Sequence, residues 1–397
     1  MDALLRLFSL IPGWDQNVPA WASITLAGLV AAGLCLGFMS LGPVGYVYVE
    51  RKIAGFMQDR LGPMRVGPWG LLQTIADTIK LLFKEAIFPA AVHKAMFVVA
   101  PCLVVTGAFM GFAVLPFSPS WQAADLDVGA FYVIAIGSLS TVGLIMAGWA
   151  SNNKYALFGA MRSAAQIVSY EIPAVMSLIV VVMIAGSLSL QAIVAEQAGG
   201  LHHWFLWKFF PLNVIAFLVF FTATLAECNR TPFDIPEAES ELVAGFHTEY
   251  SGFFFAMFFL AEYTEMFVAS AMVSVLFLGG FAAPIPALQT VGGFDIGPLW
   301  LIAKAWALIF VHMWLRWTLP RLRVDQLMHV AWKVLLPISL FLIVVVGGLL
   351  TWPATANGFP WDRWVGWPLS ALLFVYLAAT AARAWRWHAR QVREAVA

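Results

Sequence analysis

The chain has 397 residues, 61% of them hydrophobic and only 11% charged, with 22 basic side chains set against 22 acidic ones. Soluble domains average about 45–50% apolar and about 25% charged residues, so this composition excludes a protein that folds in water. A formal net charge of zero removes the case for nucleic acid as a partner.

Met1 to Leu10 carries Asp2 and Arg6 and lacks the basic, apolar, small-residue order of a cleaved signal, so it is read as retained. A helix needs roughly 20 apolar residues to cross the hydrocarbon core. Stretches without Asp, Glu, Lys or Arg run 16–49, 95–124, 128–153, 172–195, 209–226, 266–294, 334–361 and 364–382. The sixth reaches back to Tyr250 if Glu262 and Glu265 are admitted, and 299–318 qualifies if Lys304 snorkels. The reading is an all-α polytopic membrane protein of about nine transmembrane helices. Residues 1–363 form an eight-helix core, and 364–397 add a ninth helix and a basic tail. The first stretch is longer than a crossing requires, which predicts tilt or extension past the bilayer.

With the N-terminus outside, 18 of the Lys and Arg residues fall on the inner side and four on the outer, a strong positive-inside asymmetry. The inner loops 50–94 and 227–249 are long and charge-rich, which marks the cytoplasmic face as the working one. No repeat of fixed period supports an inverted-repeat transporter. Cys35, Cys102 and Cys228 stand far apart in no metal-binding spacing, which argues against disulfides, protein-ligated metal and iron–sulfur centres.

The first inner loop, ERKIAGFMQDRLGPMRVGPWGLLQTIADTIKLLFKE from Glu50 to Glu85, begins dense in Gly and Pro. It ends as an amphipathic helix of about 16 residues. Leu71, Leu72, Ile75, Ile79 and Leu82 form its apolar stripe, while Gln73, Asp77, Lys80 and Lys84 share the other face. Too short to span, it is expected to lie in the interface. A plain surface anchor accounts for the stripe but gains nothing from Asp77 beside an anionic leaflet, unless Lys80 neutralises it.

Between Glu227 and Glu265 eight acids (Glu227, Asp234, Glu237, Glu239, Glu241, Glu249, Glu262, Glu265) face one base, Arg230. That excess lies on the side reserved for cations. Crowded carboxylates cannot all stay ionised at low dielectric, which is the property a proton relay needs. Glu262 and Glu265 share a helix face inside an aromatic-rich span, and an acid at the bilayer centre costs roughly 2.5–3.5 kcal/mol. The plainer reading pairs each with Lys304 or an inner-end arginine. Glu171, just before Pro173, is either a further member or a carboxylate at a wet helix end.

The first loop resembles that of the H subunit of bacterial respiratory complex I, the counterpart of mitochondrial NADH dehydrogenase subunit 1. AECNRTPFDIPEAESELVAGFHTEYSGFFFAMFFLAEYTEM and RWTLPRLRVDQLMHVAWKVLLP resemble the same family's acidic loop with its sixth helix and its loop between helices seven and eight. The resemblance covers Val44 to about Val345. It implies a subunit where the soluble electron-transfer arm meets the membrane arm, with quinone (ubiquinone or menaquinone) as substrate and no redox centre of its own. The implied partners are the soluble quinone-site subunits with the terminal iron–sulfur cluster, the adjacent small membrane subunits and lipid of a bacterial inner membrane. Carried over by motif, Arg51, Gln58, Arg60, Asp77 and Arg321 frame the quinone passage. Asp77, Glu171, Glu227, Glu237, Glu239, Glu241 and Glu262 form the proton-linking chain. Glu265 has no counterpart that can be carried over, and most members have eight helices rather than nine. Related subunits also anchor membrane-bound hydrogenases, although the full ERK…QDR…GPMRVGPWGLLQ loop favours the quinone branch. An independent ion-coupled carrier, the reading from another class, sits poorly with long, charge-rich inner loops.

Overall fold

The computed structural model describes residues 19–236, 239–291 and 294–351, with positions 379 and 383. The expected ninth helix, the basic tail and the N-terminal segment lie outside the described residues. The elements are α1 (Ala20–Met57), α2 (Gln73–Phe83), α3 (Lys94–Met110), α4 (Gly129–Ala150), α5 (Lys154–Ala185), α6 (Leu190–Glu196), α7 (Leu212–Glu227), α8 (Glu239–Leu242), α9 (Gly252–Phe277), α10 (Gly297–Thr318), α11 (Val324–Val330) and α12 (Leu336–Thr351). A π-helical turn, Ala331–Leu335, joins α11 to α12, and Thr290–Val291 pairs antiparallel with Phe294–Asp295 in a two-residue hairpin ahead of α10.

Seven of these helices are long and apolar enough to cross a membrane, counting α11 through α12 as one; α7, at 16 residues, is a shorter apolar helix. The fold is therefore all-α and polytopic. Two helices run well beyond their apolar cores. α1 has 38 residues and continues through Glu50 and Arg51, where the sequence placed the start of a loop. At 1.5 Å per residue it is about 57 Å long, against a hydrocarbon core of about 30 Å. α5 has 32 residues and begins at Lys154, so Glu171 sits mid-helix and not at a wet end. A helix needs apolar side chains only where lipid surrounds it, and a count that stops at each charge therefore ends such helices early.

α5 and α9 form the centre: α5 packs on α4, α7 and α12, while α9 packs on α1, α2, α3 and α10. α1 lies at the edge, with Trp21, Leu29, Leu34 and Leu41 exposed as a lipid-facing surface would be. α2 is 11 residues long, shorter than its apolar stripe suggested, and it lies against α1 and α9 with Ile75 and Ile79 outward. The chain after α2 is tied to the start of α9, where Ser251 Oγ accepts from Ile87 N–H and donates to Glu85 O. Gly252 makes this junction possible: its φ is +59°, and a Cβ there would stand 2.6 Å from Lys84 O.

Lys304 does not snorkel to water, nor does it pair with an acid. Its Nζ donates to Leu278 O at 2.7 Å, Gly280 O at 2.8 Å and Ala282 O at 2.7 Å, over the Trp204 ring. It thus gathers the carbonyl of Leu278, the C-cap of α9, with two carbonyls of the turn that follows. Lys304→Met leaves three buried carbonyls unsatisfied and is expected to cost about 2 kcal/mol of stability. Thermal denaturation of the purified assembly checks this, and a variant melting with the wild type refutes the capping role.

Candidate functional site

Three compartments follow one another from the C-terminal end of α1 into the bundle. The first is a cavity of about 1000 Å³ between α1, α2 and α9. Its walls are chiefly apolar (Val44, Val47, Ala54, Leu82, Phe259, Leu260), and its polar lining includes Glu50, Arg51, Arg60, Asp77, Tyr263 and Arg316. Arg51 Nη1 lies 2.5 Å from Asp77 Oδ2, and Gln73 Nε2 donates to Asp77 Oδ1 at 3.2 Å. The loop between α1 and α2 folds back against α1. Arg60 N–H donates to Gly55 O, Lys52 Nζ to Pro63 O and Tyr48 OH to Trp69 O, and this brings Arg60 onto the cavity wall. Gln58 caps the end of α1 through its backbone and is not among the lining residues. Nor is Arg321, whose Nη2 lies 2.8 Å from Asp234 Oδ2. Burial pushes the Asp234 carboxyl above the usual carboxylate range, and the guanidinium offsets this only in part.

The second compartment is an ion cluster at the wall of that cavity. Glu50 and Arg230 are 4% and 3% exposed, so each depends on the other for its charge to be tolerable. Arg230 Nη1 donates to both oxygens of Glu50 at 3.1 Å, and its Nε lies 2.8 Å from Glu262 Oε1. Arg316 also donates to Glu50, and Tyr263 OH donates to Glu50 Oε2 at 2.7 Å. The Arg230 guanidinium lies 4.2 Å from the Tyr263 ring centroid, a cation–π contact. Burial works against the charge on Arg230, but Glu262 and Glu50 outweigh it and hold its pKa well above the ordinary value. Gln166 of α5 fixes the segment that carries Arg230, because its Nε2 donates to Ala226 O and Phe233 O, each at 2.7 Å. In the sequence Glu50 stands only as the first residue of the ERK motif. Nothing local marks it, since its partners are 180 and 266 positions away.

The third compartment consists of two small cavities deeper in the bundle. One, of about 30 Å³, is lined by Asn229, His247, Glu262 and Glu265 among apolar side chains. The other, of about 60 Å³, is lined by Glu171, Thr224, Glu227, Cys228 and Glu265. Each exceeds the roughly 10–15 Å³ that one water needs, and each offers several polar partners. Among the described residues, Glu171, Glu227 and Glu265 have no ion pair. Gly137 of α4 makes room for one of them, since a Cβ there would lie 3.1 Å from Glu227 Oε1.

The remaining acids lie elsewhere. Glu241 is exposed and 2.7 Å from Arg162, while Glu249 accepts from Asn153 Nδ2 at the start of α5. Glu237 and the Glu239 side chain lie outside the described residues. Among the described residues no group of three His, Cys, Asp or Glu could hold a metal ion.

The NADH dehydrogenase family model matches residues 30–347. The H subunit of the NADH-quinone oxidoreductase of Chlorobaculum tepidum is 54% identical over 329 residues, which is 80% of this chain and 90% of that protein. The protein of the same name from Chlorobium luteolum is 52% identical over 346 residues, 84% of this chain and 93% of that one. That of Geobacillus kaustophilus is 49% identical over 343 residues, covering 85% and 98%.

Two outcomes follow from this geometry. Arg230→Met strands Glu262 in the interior and leaves Glu50 to Arg316 and Tyr263, and it is expected to cost about 3–5 kcal/mol, read as a lowered Tm of the assembly. Adding Glu262→Gln should recover part of the loss, and strict additivity of the two changes would show that the pair is not coupled. Burial pushes the His247 imidazole down to about 4 from 6.5. Its neutral form is native, so its contribution is complete above pH 6.5, falls as pH drops towards 4 and is flat below that. From pH 7 to pH 5 the loss is about 2 kcal/mol. In His247→Phe this part of the acid sensitivity should vanish; an unchanged pH–Tm curve refutes the assignment.

Proposed function

The chain belongs to the NADH dehydrogenase family, and from that premise we propose that it is the membrane subunit of an NADH-quinone oxidoreductase that frames the quinone site and couples quinone reduction to proton translocation. One observation carries the reading. The large cavity touches the Arg51–Asp77 pair and also the Glu50, Tyr263 and Arg316 edge of the buried ion cluster, so one apolar space joins a polar mouth to the start of an acidic route. A quinone needs both features, apolar walls for its isoprenoid tail and a few placed polar groups for its head.

In this reading the chain carries no redox centre. Electrons reach the quinone from an iron–sulfur cluster in a soluble neighbour, and reduction to quinol takes up two electrons and two protons. Asp77, oriented by Arg51 and Gln73, is the acid nearest the head group. Negative charge forming on the quinone pulls protons towards it. Glu50 and Glu262 share Arg230, so a change of charge at the cavity wall alters the field at Glu262 with little screening in a low-dielectric interior. Glu227 and Glu171 continue the route. In the same reading Glu237, Glu239 and Glu241 of the acidic loop are further members of the proton chain, Gln58 and Arg321 help to frame the quinone passage, and the soluble quinone-site subunits and the adjacent small membrane subunits are the partners. The Lys and Arg asymmetry supports a bacterial inner membrane orientation with the N-terminus outside and the C-terminus cytoplasmic.

Two substitutions in the assembled enzyme separate the halves of this proposal. Ala54→Phe intrudes on the cavity and is expected to raise the KM for a long-tailed quinone by about tenfold, while NADH oxidation by an artificial acceptor is unchanged. Glu227→Gln should depress quinone turnover and proton transport together by about a hundredfold. Wild-type quinone kinetics in the first variant would remove the cavity from the quinone path, and full pumping in the second would remove Glu227 from the relay.

A further inference from the structure

Glu265 is the acid that the family resemblance leaves without a role, and it lines both of the small cavities. On one side it shares a cavity with Glu262, Asn229 and His247. On the other it shares a cavity with Glu227, Glu171 and Thr224. No other titratable side chain lines both. From this placement we infer that Glu265 is the bridging proton carrier of this chain, taking a proton from the Glu262 side and passing it to Glu227. The inference rests on the coupled quinone-reductase reading above.

Three observations support it. Glu262 and Glu265 stand three residues apart on α9, so their side chains lie over the same face. The two acids are in different electrostatic situations: Glu262 is held 2.8 Å from Arg230, whereas Glu265 has no basic partner among the described residues. Its Oε1 is shut off from solvent and has no hydrogen-bond partner, with only the Ser140 hydroxyl of α4 in reach of the carboxyl group. A structural carboxylate in such a place would be matched by a base, as Glu50 is. A carboxyl that is neutral at one moment and charged at the next gains nothing from a permanent base, which would trap it in one state.

The transfer conserves charge and atoms. A proton bound at Glu265 Oε1 leaves through water in the larger cavity to a Glu227 oxygen, and the vacated carboxylate is refilled through the smaller cavity from the Glu262 side. The two cavities, about 30 and 60 Å³, are large enough for the few waters that such a chain requires.

The test uses the whole enzyme in proteoliposomes. Glu265→Gln keeps the shape and the hydrogen bond to Ser140 but cannot carry a proton, and it is expected to lower quinone-linked proton transport by about a hundredfold. Glu265→Asp should restore most of it, and a redox-induced infrared carboxyl band should be lost in the Gln variant alone. NADH oxidation by an artificial acceptor reports assembly. If Glu265→Gln pumps like the wild type while Glu227→Gln does not, the bridge is refuted and the coupling role survives. If both pump normally, both readings fall. Where the Gln variant does not assemble, the Asp variant decides: an unaltered carboxyl band with a shortened side chain refutes the bridge, whereas a shifted band supports it.

Discussion

The buried guanidinium of Arg230 is the group on which the rest of the interior depends. It reaches α1 through Glu50 and α9 through Glu262, and Arg316 of α10 closes the set. Two cations face two anions, so the cluster is balanced where an unbalanced charge would cost several kcal/mol. The same balance makes the cluster sensitive. Any charge that appears in the adjoining cavity tips an arrangement already at the edge of what a low dielectric tolerates. The apolar cavity, the ion cluster and the unpaired acids beyond it therefore form one electrostatic object, with Arg230 at its narrowest point.

Much of this was legible in the sequence, and for identifiable reasons. Acids inside apolar runs are costly, and that cost singled out Glu262 and Glu265 without any knowledge of their neighbours. The apolar stripe of α2 followed from helical spacing, and Asp77 on its other face pairs with Arg51 at the cavity wall. The plainer reading, in which each intramembrane acid takes a base, holds for Glu262 and not for Glu265; Lys304 caps carbonyls instead.

The parts that were not legible share one cause. Glu50 carries no local mark in the sequence, because its partners come from segments 180 and 266 positions distant. Glu171 looked like a helix end because Arg162 and Lys154 interrupt the apolar run, yet α5 continues through them. Gln58 shares a motif with Arg51 and Arg60, and Arg321 stands in the RWTLPRLR stretch, but neither lines the cavity. Local pattern reports what each residue costs where it stands. It does not report which distant residue meets that cost, nor where the voids between helices fall.

Arg230 precedes α9 in the chain, and it is held on α5 by Gln166. A ribosome feeding this protein into the bilayer has therefore already set a cation in place before the two glutamates of α9 arrive. Unpaired, the Glu262 that it meets would raise the cost of lateral release into lipid by roughly 2.5–3.5 kcal/mol. Arg316 comes afterwards with α10, so Glu50, installed first of all, waits for its second base until most of the polypeptide has emerged. The order of synthesis and the order of neutralisation thus run together.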